Sequence, residues 1–196
     1  ITGSGTLTTQ AGVSTVLSGS MNLLGSRVWD NYGSVDYTPG TFTAFQVDDT
    51  AVGGTAVLNN RAGGLFEIRG TGNTTITGVG TINNEGEWRK TLNGSAVTTG
   101  VNPVFNNLAS GVVNVNSGNL SFNGDGTDVA GGVYNVAAGA TLQFNSVSRT
   151  IGSNIAGAGN VTFGGGSGRT QVVAGDYNVG GTTTVGYGDF NPVSSL

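Results

Sequence analysis

Apolar and polar residues alternate in short runs along this chain, and a small turn containing Gly introduces each run. The phrase returns as GSGTLT (3–8), GVGTIN (78–83), SGNLSF (117–122), AGATLQF (138–144) and GAGNVTF (157–163). Period-two alternation predicts strands with one face buried. In 111–124 it puts Val113, Val115, Leu120 and Phe122 on one side and Asn114, Asn116 and Ser121 on the other; 131–146 repeats it with Val136, Leu142 and Phe144. A recurring strand-and-turn unit without a fixed catalytic residue predicts a solenoid, whose stacked coils cover one another's apolar faces.

A second phrase sets Asn before a Gly turn and an apolar strand, in WDNYGSV (29–35), LNNRAGGLFEI (58–68), INNEGEWRK (82–90) and FNNLASGVVNV (105–115). The pairs Asn59/Asn60, Asn83/Asn84 and Asn106/Asn107 are one coil apart. Stacking at the spacing of neighbouring strands brings equivalent amides together, where they satisfy one another as ladders. At a little over 20 residues per coil, the chain is expected to hold about eight or nine coils over roughly 40 Å. Residues 36–58, with Tyr37, Pro39, Phe42, Phe45, Asp48 and Asp49, fit the period least and are expected to leave the rod as a longer loop.

Composition sharpens this picture. Gly is 37 of 196 residues and charged residues are only 9%, so strand and turn dominate and few segments suit a helix. The net charge of −4 supplies no basic stripe for a phosphate backbone, which argues against nucleic-acid binding. Cys and His are both absent, which removes disulfides, Cys/His metal sites and Ser–His or Cys–His nucleophile pairs. Absence of Cys suits a protein exported through an oxidising compartment. No apolar run is long enough to span a bilayer, and membrane insertion by this segment is not expected. Beginning at Ile1 and ending at Leu196 without a leader or anchor pattern, the chain is expected to be a single solenoid segment, 1–196, of a longer protein.

The run IAGAGNVTF (155–163) followed by GGGSGRTQVVAGDYNVGGTTTVGYGDF (164–190) resembles the autotransporter-associated β-strand repeat. Matching positions are Gly157, Gly159, Val161, Thr162, Val172, Val173, Asp176, Tyr177, Gly180, Gly181, Thr182, Thr183 and Val185, with one extra residue between Tyr177 and Gly180. The remainder is more loosely similar to autotransporter passengers and filamentous-haemagglutinin-type adhesins. That resemblance implies an all-β, right-handed parallel β-helix, display on a bacterial outer surface, and a role as adhesin or stalk. It implies no catalytic residue, since the matched positions are turns and core.

Candidate chemistry is sparse. Asp48 and Asp49 are an acidic pair in the irregular segment and the candidate acids of a polysaccharide hydrolase or lyase, the alternative to a structural role. Glu85 and Glu87 are expected to share a strand face beside Arg89, with Glu67 on a neighbouring coil, as a solvated charge cluster; Lys90 follows. Asp125 and Asp128 in GDGTD are a weak Ca²⁺ candidate, lacking the full ligand series of a calcium loop, and no other cofactor is expected. Trp29, Tyr32, Tyr37, Phe42 and Phe45, with Asp48 and Asp49, form the candidate binding group; Trp88 and Trp29 also fit a packing role. The expected partner is a cell-surface glycan or protein, or further copies of the chain, which would make a filament.

Overall fold

The computed structural model describes residues 1–40, 44–48, 55–91, 97–145, 148–165, 170–186 and 189–192. These residues form a parallel β-solenoid with no helix, and every strand pairing among them is parallel. Each coil contributes one strand to each of three faces. The second face is an eight-stranded sheet running from Ser14–Leu17 through Ser34–Tyr37, Leu65–Ile68, Glu87–Lys90, Val112–Val115, Val133–Val136 and Asn154–Gly157 to Tyr177–Val179. Its strands define about seven turns, or about 33 Å at the usual strand spacing, somewhat less than the coil count expected from length alone. Coil length accounts for the shortfall. Ser34 pairs with Leu65, 31 positions on, whereas Val112 pairs with Val133, 21 positions on.

That longest coil contains the expected excursion of 36–58. Its described parts do not leave the rod: Asp36 and Tyr37 end a second-face strand, Ala44–Val47 joins the third face, and Val57–Asn60 begins the next coil on the first face. The remaining part of the excursion, with Phe42 and Asp49, lies outside the described residues.

Corners are made by residues that tolerate a turn. Strand Met21–Asn31 bends from the third face to the first, pairing with Ala44–Val47 at one end and Val57–Asn60 at the other. Gly25, at φ 79°, sits at the bend, and a Cβ there would lie 2.8 Å from the Gly3 carbonyl oxygen of the coil beside it. Only Gly combines that backbone conformation with so close an approach.

Alternation decides what enters the core. Val113, Val115, Leu120, Phe122, Val136, Leu142 and Phe144 are buried, as their period-two placement predicts. Aromatic rings run through the interior as a spine. Phe66 stacks on Trp88 with centroids 4.2 Å apart, Phe105 lies 4.5 Å from Phe122, and Phe144 stacks on Phe163 at 5.8 Å. Each such ring contributes about 2–3 kcal/mol by burial, and contact along the spine ties each coil to the next.

Candidate functional site

Three of the seven residues expected to bind belong to the spine. Trp29, Tyr37 and Phe45 are fully buried, with Trp29 6.3 Å and Tyr37 6.0 Å from Phe45, centroid to centroid. Their placement follows from the alternation: Trp29 is inward on Met21–Asn31, Tyr37 closes Ser34–Tyr37, and Phe45 is inward on Ala44–Val47. Rings enclosed in this way present no surface for a sugar to stack on. Asp48 is also buried, at 1% exposure. Tyr32 is the exposed member of the group, at 43%, on the corner between the first and second faces. Phe42 and Asp49 lie outside the described residues.

The Asn pairs form two ladders, one on each side of a single sheet. Within the core, Asn31 donates through Nδ2 to Asn60 Oδ1 at 2.8 Å, Asn60 to Asn84 at 2.8 Å, and Asn84 to Asn107 at 2.9 Å. The second hydrogen of each amide reaches a corner carbonyl, as from Asn60 to Glu87 at 2.9 Å. On the outside, Asn59 donates to Asp30 at 2.9 Å, Asn83 to Asn59 at 2.9 Å and Asn106 to Asn83 at 2.8 Å. Neighbouring residues of a strand point to opposite faces, so one Asn of each pair serves each ladder.

Charges on the outer surface are paired both within a coil and between neighbouring coils. Arg69 bridges Asp36 at 2.9 Å and Glu67 at 3.1 Å, while Arg89 holds Glu87 at 2.6 Å and lies 3.6 Å from Glu67. The Arg89 hydrogen bond, working against partial desolvation and helped by Asn114, pulls the Glu87 carboxyl below its usual range. Glu85 does not join this group. It lies at the corner between Thr81–Asn84 and Glu87–Lys90, where strand alternation is interrupted, and pairs with Arg61 at 3.4 Å; Arg61 also meets Asp30 at 2.8 Å.

Lys90 occupies an inward position, in register with Ile68 and Val115, and is 1% exposed. Burial pulls its ammonium down to about 8.

The GDGTD turn splits its carboxylates. Asp125 is exposed, whereas Asp128 follows Asn107 on the next coil, accepts its backbone amide and is committed to the core. Arg149 donates from Nε to Asp128 Oδ2 at 2.8 Å and from Nη2 to Oδ1 at 2.9 Å, and Tyr134 Oη donates to Oδ1 at 2.8 Å. Nη2 also donates to the Phe105 carbonyl. The Arg149 guanidinium lies 5.4 Å from the Phe122 ring centre and 5.5 Å from that of Phe144. Desolvation opposes its charge, but the Tyr134 and Asp128 interactions outweigh this and hold it above its usual value. Burial and the Asp128 charge push the Tyr134 hydroxyl well up. Gly126 makes room, since a Cβ there would lie 2.0 Å from the Phe105 oxygen and 2.7 Å from Arg149 Nη2. Sequence reading missed Arg149 as a core residue. Its one signal is its two-residue spacing from Ile151, which shares its side of strand Arg149–Ile151.

This cluster coincides with a break in the first face. The sheet ends at Val104–Asn107, and a separate four-stranded sheet resumes at Gly126–Asp128. Side chains stitch the gap: the Thr127 amide donates to Asn106 Oδ1 at 2.9 Å and the Asn107 amide to Asp128 Oδ1 at 3.1 Å, between two backbone bonds, from Phe105 N to Asp125 O at 3.0 Å and from Val129 N to Asn107 O at 3.1 Å. Two open clefts adjoin the break. One, of about 280 Å³, is lined by Val79, Asn102, Val104, Asn123 and Asp125. The other, of about 430 Å³, is lined by Thr127, Ser148, Thr150, Thr170 and Val172.

No protein-family model matches the chain, and neither a curated protein nor a solved structure matches it.

Proposed function

We propose that this chain is a structural and adhesive segment of a secreted or surface-displayed bacterial β-solenoid protein, acting as a stalk or adhesin through its surfaces. The observation that carries this reading is the use made of its polar residues. Both Asn ladders, the Arg69–Asp36 and Arg89–Glu67 bridges and the Arg61 pairs join one coil to the next. A molecule whose side chains are spent on stacking is suited to extension and display. The similarity of 155–190 to the autotransporter-associated repeat supports placing it on a bacterial outer surface.

The reading is tested by raising antibodies to the chain and localising the parent protein on intact cells by immunogold electron microscopy. Gold at the cell surface, together with reduced attachment of cells lacking the protein, is the expected result. Label confined to the cytoplasm, or polysaccharide cleavage by the purified chain, overturns it.

A further inference from the structure

The two clefts at the break in the first face adjoin along one column of outward positions. Asp125 follows Val104 on the next coil, Ser148 follows Asp125, and Thr170 follows Ser148, as the pairings of Gly126 with Arg149 and Arg149 with Gln171 require. Beside them runs a second outward column of Thr127, Thr150 and Val172. Together they make one shallow trough directed along the rod axis. We propose that this trough binds a neutral, hydroxyl-rich oligosaccharide laid along the axis, which deepens the reading of the chain as an adhesive rod and rests on it.

Its chemistry selects that class of ligand. Thr127, Ser148, Thr150 and Thr170 are exposed and carry hydroxyls, each a donor and an acceptor, as the hydroxyls of a sugar are. They recur on successive coils at about 4.8 Å, so a polymer of repeating units meets equivalent groups as it advances. Val79, 60% exposed, with Val104 and Val172 offers apolar contact for the C–H faces of sugar rings. Among the described lining residues the one outward charge is the Asp125 carboxylate, because the Arg149 guanidinium is turned into the core. The described lining, acidic and without an outward cation, disfavours phosphate, sulfate and uronate. A peptide strand is disfavoured for a different reason: the amides of Phe105, Asn107 and Thr127 at the break are already bonded, which leaves no edge to extend.

The location is also where the molecule departs from its own construction rule. A continuous backbone ladder with an apolar core would be the simplest continuation, yet the chain buries an arginine and breaks the sheet there. Such local departures are characteristic of functional sites.

The test is titration of the full 196-residue chain with three neutral hexasaccharides (cellohexaose, mannohexaose and maltohexaose) and with hexagalacturonate, followed calorimetrically and by backbone amide shifts. Saturable binding of at least one neutral probe is expected, with shifts confined to the neighbourhood of Thr127, Ser148, Thr150 and Thr170. Ser148→Ala/Thr150→Ala removes two hydroxyls and is expected to weaken binding about tenfold, while Asn135→Ala on the second face leaves it unchanged. No binding of any neutral probe at about 1 mM overturns the proposal. So does tighter binding of hexagalacturonate, or shifts on another face of the chain, a readout that does not depend on a variant folding. Surface label without binding removes the trough alone, whereas binding without surface label removes the display reading.

Discussion

Arg149 and Asp128 form a two-pronged ion pair, 2.8 and 2.9 Å long, with both side chains completely enclosed in the solenoid core. Removing one partner strands the other charge away from water. Arg149→Met or Asp128→Asn is therefore expected to cost about 3–5 kcal/mol in urea unfolding. The double replacement Arg149→Met/Asp128→Leu should recover most of that loss, because desolvation of the pair offsets its attraction. Equal damage in the single and double variants would refute this.

Gly126→Ala probes the same cluster from its neighbour. The added methyl would meet the Phe105 oxygen and Arg149 Nη2, so the coil must shift or the guanidinium must withdraw. A loss of about 2–4 kcal/mol is expected from this single carbon. Chemical denaturation measures it, and a loss below about 1 kcal/mol would show that the coil has room to give.

The two Asn ladders should differ sharply in energetic weight. Asn84→Ala leaves one Asn60 amide hydrogen without its acceptor and Asn107 Oδ1 without its donor inside the core, at an expected cost of about 2–4 kcal/mol. Asn83→Ala, one residue earlier, breaks bonds that water can replace and should cost less than about 1 kcal/mol. Thermal melts of the two variants compare them directly.

Lys90 sets a dependence on alkaline pH. Below about 8 the ammonium is protonated in folded and unfolded chains alike, and the full cost of burying its charge is present. Between about 8 and the ordinary lysine value of 10.5, the unfolded chain keeps a proton that the folded chain releases, so stability rises with pH. Lys90→Met should raise stability by about 1–3 kcal/mol at neutral pH and flatten that slope. Unfolding midpoints at pH 7, 8.5 and 10 test both effects.

Calcium is expected to leave the melting temperature unchanged. Asp128 is engaged by Arg149 and Tyr134, which leaves Asp125 as the outward carboxylate of that turn, and one carboxylate is far short of a Ca²⁺ coordination shell. A rise in melting temperature at millimolar Ca²⁺, reversed by EDTA, would contradict this.

Much of the scaffold was legible in the residue order. The alternation of Val113, Val115, Leu120 and Phe122 marked core positions correctly, and the spacing of Asn59/Asn60, Asn83/Asn84 and Asn106/Asn107 announced stacked amides. The candidate site was far less legible. From sequence, Trp29, Tyr37 and Phe45 are open to a binding role because an aromatic reads alike in a spine and on a surface. The spacing of Glu85 and Glu87 suggests one strand face, whereas a corner at Gly86 resets the alternation between them.

By itself, then, the sequence determined that strands would be short, one-sided and stacked, because period two and regular Gly turns are local properties. Only the tertiary structure decided which polar residues would enter the core. Asp128 and Arg149 meet across one coil, and the space for their contact exists because Gly126 carries no side chain. The trough beside them has the same origin. Residues about 21 to 23 positions apart become neighbours there through register alone, a relation that no local stretch of sequence contains.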